Sequence, residues 1–266
     1  MAKRLIAFDF DGVICDGQAE YFYSAALGYR ELWQPKKLVD LEKIRPKFYA
    51  LRPIIETGWE MIVLIEALLS GTPEGAIWQD WRGVIDQILE QSGINQQQLA
   101  VTLDQVRDRQ ISEQLDQWLD LHRFYDGILE CLQKLVADTE TDVYIITTKE
   151  ARFTHQILQQ QGINFPRENI FGKEAKQPKT ATLKQLISPE LENIWFIEDR
   201  LKTLEKVQQD PALSDVKLFL ADWGYNTESE RIAAAEKGIA VVNPSLWTEQ
   251  IGTLIKSQTF PLSGED

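Results

Sequence analysis

Two carboxylates stand two residues apart near the start of the chain, directly after a short apolar run. The run is Leu5–Phe8, and the acids are Asp9 and Asp11, with Gly12 next in the sequence. Alternate side chains of a strand point to the same side, so both carboxylates are expected on one side of the strand end. Burying an ionised carboxylate there requires a metal, a lysine or hydrogen bonds. On its own the pattern also fits a turn in which both acids bind nearby backbone N–H groups.

Three later segments place further polar side chains at the ends of predicted strands or at the starts of helices. Thr147 and Thr148 follow an apolar run, and Lys179 stands directly before a predicted helix. Glu198 and Asp199 end a run of four apolar residues. The carboxyl ends of parallel strands share one edge of a sheet, where α/β proteins bind their ligands. The sequence therefore predicts that these side chains and the first two carboxylates form one set.

The elements between these segments predict an α/β fold with a doubly wound parallel sheet. Short runs rich in Ile, Val and Phe are typical of buried parallel strands, and helical patterns alternate with them. The predicted strands are Leu5–Phe8, Val143–Ile146, Ile194–Ile197, Val216–Leu220 and Ile239–Val242. The predicted helices include Ile128–Leu135, Thr154–Leu158, Thr182–Leu186, Leu201–Val207 and Glu228–Glu236.

A long segment with a different character separates the first predicted strand from the second. Residues 17–122 carry five of the eight tryptophans and almost no strand pattern, so this segment is expected to be all-helical. We therefore expect a core domain made of residues 1–16 and 123–266, and a helical cap domain made of residues 17–122. An insertion at this point would lie over the ligand-binding edge of the sheet, with hinges at the two crossings.

The four polar segments, in this order, resemble the four sequence motifs of the haloacid dehalogenase superfamily. The resemblance is to its phosphatases, which have a Rossmann-like core and a helical cap inserted after the first motif. It implies that Asp9 is the nucleophile and forms an aspartyl-phosphate. It also implies that Asp11 is the general acid and base, with its backbone carbonyl on a metal ion.

The resemblance assigns roles to the other motif residues as well. Mg²⁺ would be held by Asp9, Asp11 and Asp199, with Glu198 binding it through water or orienting a ligand. A lysine would neutralise the phosphate and the nucleophile; Lys179 is favoured, with Lys176 and then Lys173 as the alternatives. Thr147 would donate a hydrogen bond to a phosphoryl oxygen, and Thr148 fills a position often held by Asn in the substrate site. In one departure, Thr203 stands where many members have a further acid.

The implied reaction is the Mg²⁺-dependent hydrolysis of a small phosphorylated metabolite. Arg45 and Arg52 of the predicted cap are the first candidates for binding the substrate. The segment Trp223–Thr227 is similar to a loop of such phosphatases, although its role could be structural. A phosphomutase would share every catalytic residue, and a non-catalytic binding or regulatory protein would keep the fold. A dehalogenase would need neither Asp11 nor the later pair of acids.

Composition restricts the partners and the compartment. The 266 residues include 28 basic and 41 acidic ones, and the net charge of −13 disfavours binding to nucleic acid or an anionic membrane. Cys15 and Cys131 form no CxxC pair, so zinc and a disulfide framework are poorly supported. No run is long enough for a signal peptide or a membrane span, and a cytoplasmic protein is expected. The oligomeric state cannot be read from the sequence.

Overall fold

The structure divides the chain into two compact units. A computed structural model describes residues 3–35 and 40–256. One unit consists of Met1–Asp16 and Arg123–Asp266, and the other of Gly17–His122. Because each unit has its own core, the two are described separately.

The first unit is built on a six-stranded parallel sheet. The strands of the structure are β1 (Lys3–Phe8), β2 (Cys15–Asp16), β3 (Arg123–Phe124), β4 (Thr141–Ile146), β5 (Ile170–Phe171), β6 (Leu191–Glu198), β7 (Val216–Ala221) and β8 (Ala240–Val242). The order across the large sheet is β5-β4-β1-β6-β7-β8, and every neighbouring pair is parallel. Strand order reverses between β1 and β6, which is where doubly wound sheets open a crevice for ligands. The predicted α/β class is confirmed.

The register of the sheet aligns the ends of its central strands. Phe8 of β1 lies beside Ile145 of β4 on one side and beside Ile197 of β6 on the other. The residues that follow these three positions therefore reach the same edge of the sheet. Asp9 directly follows Phe8 and Glu198 directly follows Ile197, so the two side chains begin at the same level of the sheet.

Both faces of the sheet are covered by helices. These are α7 (Ile128–Ala137), α8 (Ala151–Gln160), α9 (Lys179–Leu186), α10 (Leu201–Gln208), α11 (Glu228–Glu236) and α12 (Pro244–Lys256). On one face Leu5 and Phe196 pack in a buried cluster with Leu204 of α10. On the other face Phe8 and Trp195 contact the ring of Trp247, which lies on α12, with centroid distances of 5.8 and 5.7 Å. Alternation along β1 and β6 thus supplies apolar side chains to both faces.

A two-residue ribbon marks the point where the chain leaves this unit and returns. Cys15 and Asp16 of β2 pair antiparallel with Phe124 and Arg123 of β3. The ends of the intervening segment, residues 17–122, are therefore held side by side. In the part of the chain that the structure describes, no helix is long and apolar enough to cross a membrane.

All secondary-structure elements in the described residues of the second unit, 17–35 and 40–122, are helices. Its helices are α1 (Gln18–Trp33), α2 (Arg45–Ala50), α3 (Glu60–Leu69), α4 (Glu74–Gln79), α5 (Trp81–Ser92) and α6 (Gln96–Leu119). Helix α1 packs against α3 and α6. Helix α6 begins at a capping box in which Asn95 and Gln98 exchange two hydrogen bonds of 2.9 Å. Whether this unit acts as a cap stays a prediction.

Candidate active site

The Asp9 carboxylate lies directly beyond the end of β1 and is held on both of its oxygens. Its backbone N–H donates to the Ile197 carbonyl at 2.8 Å, which continues the ladder to β6. Asp9 Oδ1 accepts a hydrogen bond from the Phe10 backbone N–H at 2.7 Å, and Oδ2 lies 2.9 Å from Lys179 Nζ. The residue is 8% exposed. The carboxylate is therefore fixed in orientation at the switch point of the sheet.

Of the three lysines that the sequence left open, Lys179 is the one that reaches this carboxylate. It is the first residue of α9, and its ammonium also lies 2.7 Å from Glu198 Oε2. Lys176 is exposed and occupies the left-handed backbone region at φ 49°, and Lys173 is exposed as well. Lys179 thus bridges the ends of β1 and β6.

Three buried carboxylates converge at this edge of the sheet, and two of them contact Lys179. Asp9, Glu198 and Asp199 each offer one oxygen, and these oxygens lie within 4.8 Å of one another. When all groups are ionised, three carboxylates and the Lys179 ammonium leave an excess of two negative charges. Carboxylate oxygens are the ligands that Mg²⁺ prefers. Both the ligand type and the missing charge therefore fit one divalent cation.

The electrostatics of the cluster agree with a missing positive charge. Burial and the nearby Glu198 carboxylate raise the pKa of Asp9 to about 7, although the Lys179 ammonium opposes the shift. Burial also raises the pKa of Glu198 against the same lysine. Burial acts to lower the pKa of Lys179, but the two carboxylates outweigh it and raise that pKa above its usual value. A bound cation would favour the ionised carboxylates.

The loop that follows β7 fixes Asp199. The backbone N–H of Tyr225 donates to Asp199 Oδ2 at 2.7 Å. The Asn226 side chain donates to the carbonyl oxygens of Asp199 and Ala221 at 2.9 and 2.8 Å. Tyr225 also donates its hydroxyl to Asp16 Oδ1 at 2.9 Å. The segment Trp223–Thr227, whose role the sequence left open, thus orients a carboxylate of the cluster.

Two glycines let the backbone approach Asp199 closely. A Cβ on Gly12 would lie 2.1 Å from Asp199 Oδ2, and the φ of Gly12 is +87°. A Cβ on Gly224 would lie 2.3 Å from Asp199 Cβ and 2.5 Å from the Gly12 carbonyl oxygen. Neither position has space for a side chain, so glycine is required at both. The close approach of the Gly12 backbone to Asp199 explains why a glycine follows Asp11 in the sequence.

The end of β4 supplies a hydroxyl and a second lysine. Thr147 is buried; its N–H donates to the Phe171 carbonyl, and its Oγ1 accepts the N–H of Lys149 at 3.1 Å. Thr148 is exposed. Lys149 Nζ lies 3.4 Å from Asp11 Oδ1. Lys149 was not among the residues singled out from the sequence, and its place directly after the threonine pair was the only signal for it.

Comparison with known proteins identifies the family. The family model of haloacid dehalogenase-like hydrolases matches residues 3–205. This chain belongs to that family. A search of curated proteins found no match.

Solved structures share the fold of this haloacid dehalogenase-like hydrolase at low sequence identity. A predicted phosphatase from Clostridium acetobutylicum is 16% identical, with a TM-score of 0.57 over 96% of this chain and 100% of its own. A hydrolase from Pseudomonas syringae is 13% identical, with a TM-score of 0.56 over 95% and 99%. A predicted phosphoglycolate phosphatase from Haemophilus somnus is 16% identical, with a TM-score of 0.54 over 85% and 88%. At these identities the likeness establishes the fold.

Two predicted substrate-binding residues of this hydrolase lie in the helical unit and have partners there. The Arg45 guanidinium forms an ion pair with Glu42 and lies 5.2 Å from the Phe22 ring centroid. Arg52 lies 5.0 Å from the Tyr21 ring centroid and donates to the Ile55 carbonyl at 3.2 Å. Their role in binding a substrate stays a prediction.

Asp11 and Thr203 both lie in the sheet unit. Asp11 is the remaining residue predicted to bind the metal, and Thr203 is the residue that departs from the family pattern. The Asp11 side chain is directed to Lys149 and is not part of the three-carboxylate cluster among the described residues. The metal contact expected of Asp11 was through its backbone carbonyl. Thr203 lies in the first turn of α10, where its N–H donates to the Arg200 carbonyl.

Proposed function

We propose that the protein is a Mg²⁺-dependent phosphatase that hydrolyses a small phosphorylated metabolite through an aspartyl-phosphate on Asp9. The observation that carries this proposal is the buried group of Asp9, Glu198 and Asp199, in which Asp9 and Glu198 share the ammonium of Lys179. Structural ion pairs balance their charges, whereas this group carries an excess of negative charge that a cation has to offset. The family and the phosphatases of the same fold support the same reaction.

The first half-reaction transfers the phosphoryl group to the protein. An Asp9 carboxylate oxygen attacks phosphorus, the bond from phosphorus to the ester oxygen breaks, and Asp11 gives its proton to the departing oxygen. Lys179 favours the ionised form of Asp9 before the attack. The Thr147 hydroxyl is buried close to the strand end and can donate its hydrogen to a phosphoryl oxygen. The alcohol leaves, and phosphate remains on Asp9 as an acyl phosphate.

The second half-reaction returns Asp9 to its starting state. Asp11, now ionised, takes a proton from a water molecule whose oxygen attacks phosphorus. The bond from phosphorus to the Asp9 oxygen breaks, inorganic phosphate leaves, and Asp11 is protonated again. Mg²⁺, held by Asp9 and Asp199 with Glu198 beside it, would supply positive charge to the phosphoryl oxygens.

The type of substrate and the cell compartment are proposed from the sequence. A small phosphate ester follows from the reaction type, and Arg45 and Arg52 remain the candidates that would select it. A cytoplasmic location is favoured by the two cysteines, which form no CxxC pair, and the net charge of −13 disfavours nucleic-acid and anionic-membrane partners.

Hydrolysis of 4-nitrophenyl phosphate by the full chain tests this function. We expect nitrophenolate release with Mg²⁺, no release with a chelator, and recovery when Mg²⁺ is restored. Asp9→Asn should abolish release while its circular dichroism spectrum stays that of the wild type. Full activity in this variant, or in the chelated wild type, would refute the mechanism. Phosphate that appears on an added sugar acceptor instead of as inorganic phosphate would identify a phosphomutase.

A further inference from the structure

The two carboxylates of the first motif each face a lysine whose side chain is largely buried. Asp9 pairs with Lys179 at 2.9 Å and Asp11 with Lys149 at 3.4 Å. The side chains of the two lysines are only 14% and 7% exposed. Four other ion-paired lysines have side chains at least 45% exposed: Lys43, Lys47, Lys184 and Lys237. Burial of an ammonium is costly, so the Lys149 site has to offset that cost with opposite charge.

The backbone around Lys149 is fixed on both sides. Its N–H donates to Thr147 Oγ1 at 3.1 Å, and its carbonyl accepts the Lys173 N–H at 2.9 Å. Thr147 is itself tied to β5 through its N–H, which donates to the Phe171 carbonyl at 2.9 Å. The start of the Lys149 side chain is therefore held by three hydrogen bonds at the sheet edge.

The Asp11 carboxylate faces this lysine and has few other contacts to fix its orientation. Asp11 Oδ1 is buried, and in the part of the chain that the structure describes it accepts no hydrogen bond. The Lys149 ammonium, at 3.4 Å, is the charge that faces this oxygen. A side chain with few directional contacts keeps one rotamer only if a neighbouring group stabilises it.

We infer that Lys149 is a positioning residue for the general acid and base, and holds the Asp11 carboxyl group in the orientation that reaches the leaving oxygen. This inference rests on the proposed function, since it gives Lys149 no role apart from Asp11. It makes a specific prediction, because the acid matters most when the leaving group is poor. A lysine that bound the phosphoryl oxygens instead would affect all esters alike.

The test compares Lys149→Met with Asp11→Asn on two aryl phosphates of similar size. Phenol is a poorer leaving group than 4-nitrophenol, and kcat/KM reports the steps up to transfer of the phosphoryl group. We expect Lys149→Met to lower kcat/KM for phenyl phosphate by roughly tenfold to hundredfold and for 4-nitrophenyl phosphate by much less. The double variant should be no slower than Asp11→Asn alone, because the two residues act as one unit. Lys149→Arg should recover part of the loss.

Two controls separate this inference from folding and from the proposed function. Lys206→Met removes an exposed lysine of α10 and should leave both substrates unaffected. Thermal unfolding of each variant shows whether the fold survives, and Lys149→Arg provides a second variant that keeps the charge. An equal loss on both substrates, additive with Asp11→Asn, would overturn the role of Lys149 and leave the phosphatase mechanism intact. Retained activity in Asp9→Asn would overturn the mechanism itself.

Discussion

Both units bury carboxylates, but the balance of charge around these carboxylates differs between the units. In the helical unit Glu20 is fully buried, and both of its oxygens accept from the Arg107 guanidinium at 2.7 and 2.8 Å. Ser24 donates a further hydrogen bond of 2.6 Å to the same carboxylate. In the sheet unit three carboxylates have oxygens within 4.8 Å of one another, and two of them, Asp9 and Glu198, share the ammonium of Lys179. A satisfied pair of the first kind is destabilising to break, whereas crowded like charges are typical of a site that binds a cation or reacts.

The largest effect should come from removing the one ammonium of the crowded cluster. Lys179→Met leaves Asp9 and Glu198 without their shared partner, so the nucleophile would be harder to ionise. We expect kcat/KM for 4-nitrophenyl phosphate to fall by on the order of 10²- to 10³-fold. Lys176→Met should retain most of the activity, since Lys176 is exposed. Equal losses in the two variants would contradict the assignment of Lys179.

Removal of the arginine from the Glu20–Arg107 pair of the helical unit should lower the stability of the protein. Arg107→Met leaves Glu20 buried without its main partner and should lower the free energy of unfolding by about 3 kcal/mol. Arg109 provides a matched control, because it also lies on α6 and also pairs with a residue of α1, Glu31. Both side chains of that pair are more than 40% exposed, so Arg109→Met should cost less than about 1 kcal/mol. Urea denaturation measures both values, and equal values would contradict the comparison.

A milder change in the cluster should alter its affinity for the metal. Asp199→Asn keeps the shape of the side chain and its contact with the Tyr225 N–H, but removes one negative charge. The Mg²⁺ concentration for half-maximal activity should rise by roughly tenfold or more, by analogy with other weakened metal sites. Activity titrated against Mg²⁺ measures the change. An unchanged Mg²⁺ requirement would remove Asp199 from the metal site.

An indirect effect on the cluster is expected from the loop behind it. Gly224→Ala puts a methyl group where Asp199 and the Gly12 carbonyl already lie, so the loop must move. We expect a loss of about 1–3 kcal/mol in stability, with a higher Mg²⁺ requirement. Gly75→Ala is the matched control, because it lies in α4 with open space around it and should be neutral or slightly stabilising. A neutral Gly224→Ala would show that the loop does not hold the carboxylate.

Much of the sheet could be predicted because most of its strands coincide with short runs rich in apolar residues. The five predicted runs all lie in the large sheet, and β4 and β6 flank β1 so that their polar ends meet. Strand β5 was not predicted, because its two residues, Ile170 and Phe171, are too few to show the alternation of apolar and polar side chains or the apolar run that indicates a strand. Helix α12, which carries Trp247, was missed as well.

The candidate site was predictable in its residue types but not in its contacts. Strand ends identify which side chains reach the edge, whereas pairing between them depends on tertiary distances that a sequence does not encode locally. Lys149 looks like a surface lysine in the sequence, and only the fold brings it to Asp11. Likewise, the contact from Tyr225 to Asp199 links residues 26 positions apart. The catalytic roles of these residues stay predictions.

The most direct test of the account is to trap the phosphoryl group on Asp9 in the Asp11→Asn variant. With 4-nitrophenyl phosphate the first half-reaction needs little acid, whereas the second still needs the base, so the aspartyl-phosphate should accumulate. We expect a burst of one nitrophenolate per active site, followed by slow turnover. Mass spectrometry of the acid-quenched protein should find one phosphoryl group on the peptide that contains Asp9. A burst with the phosphoryl group on another residue, or turnover by Asp9→Asn, would contradict the central claim.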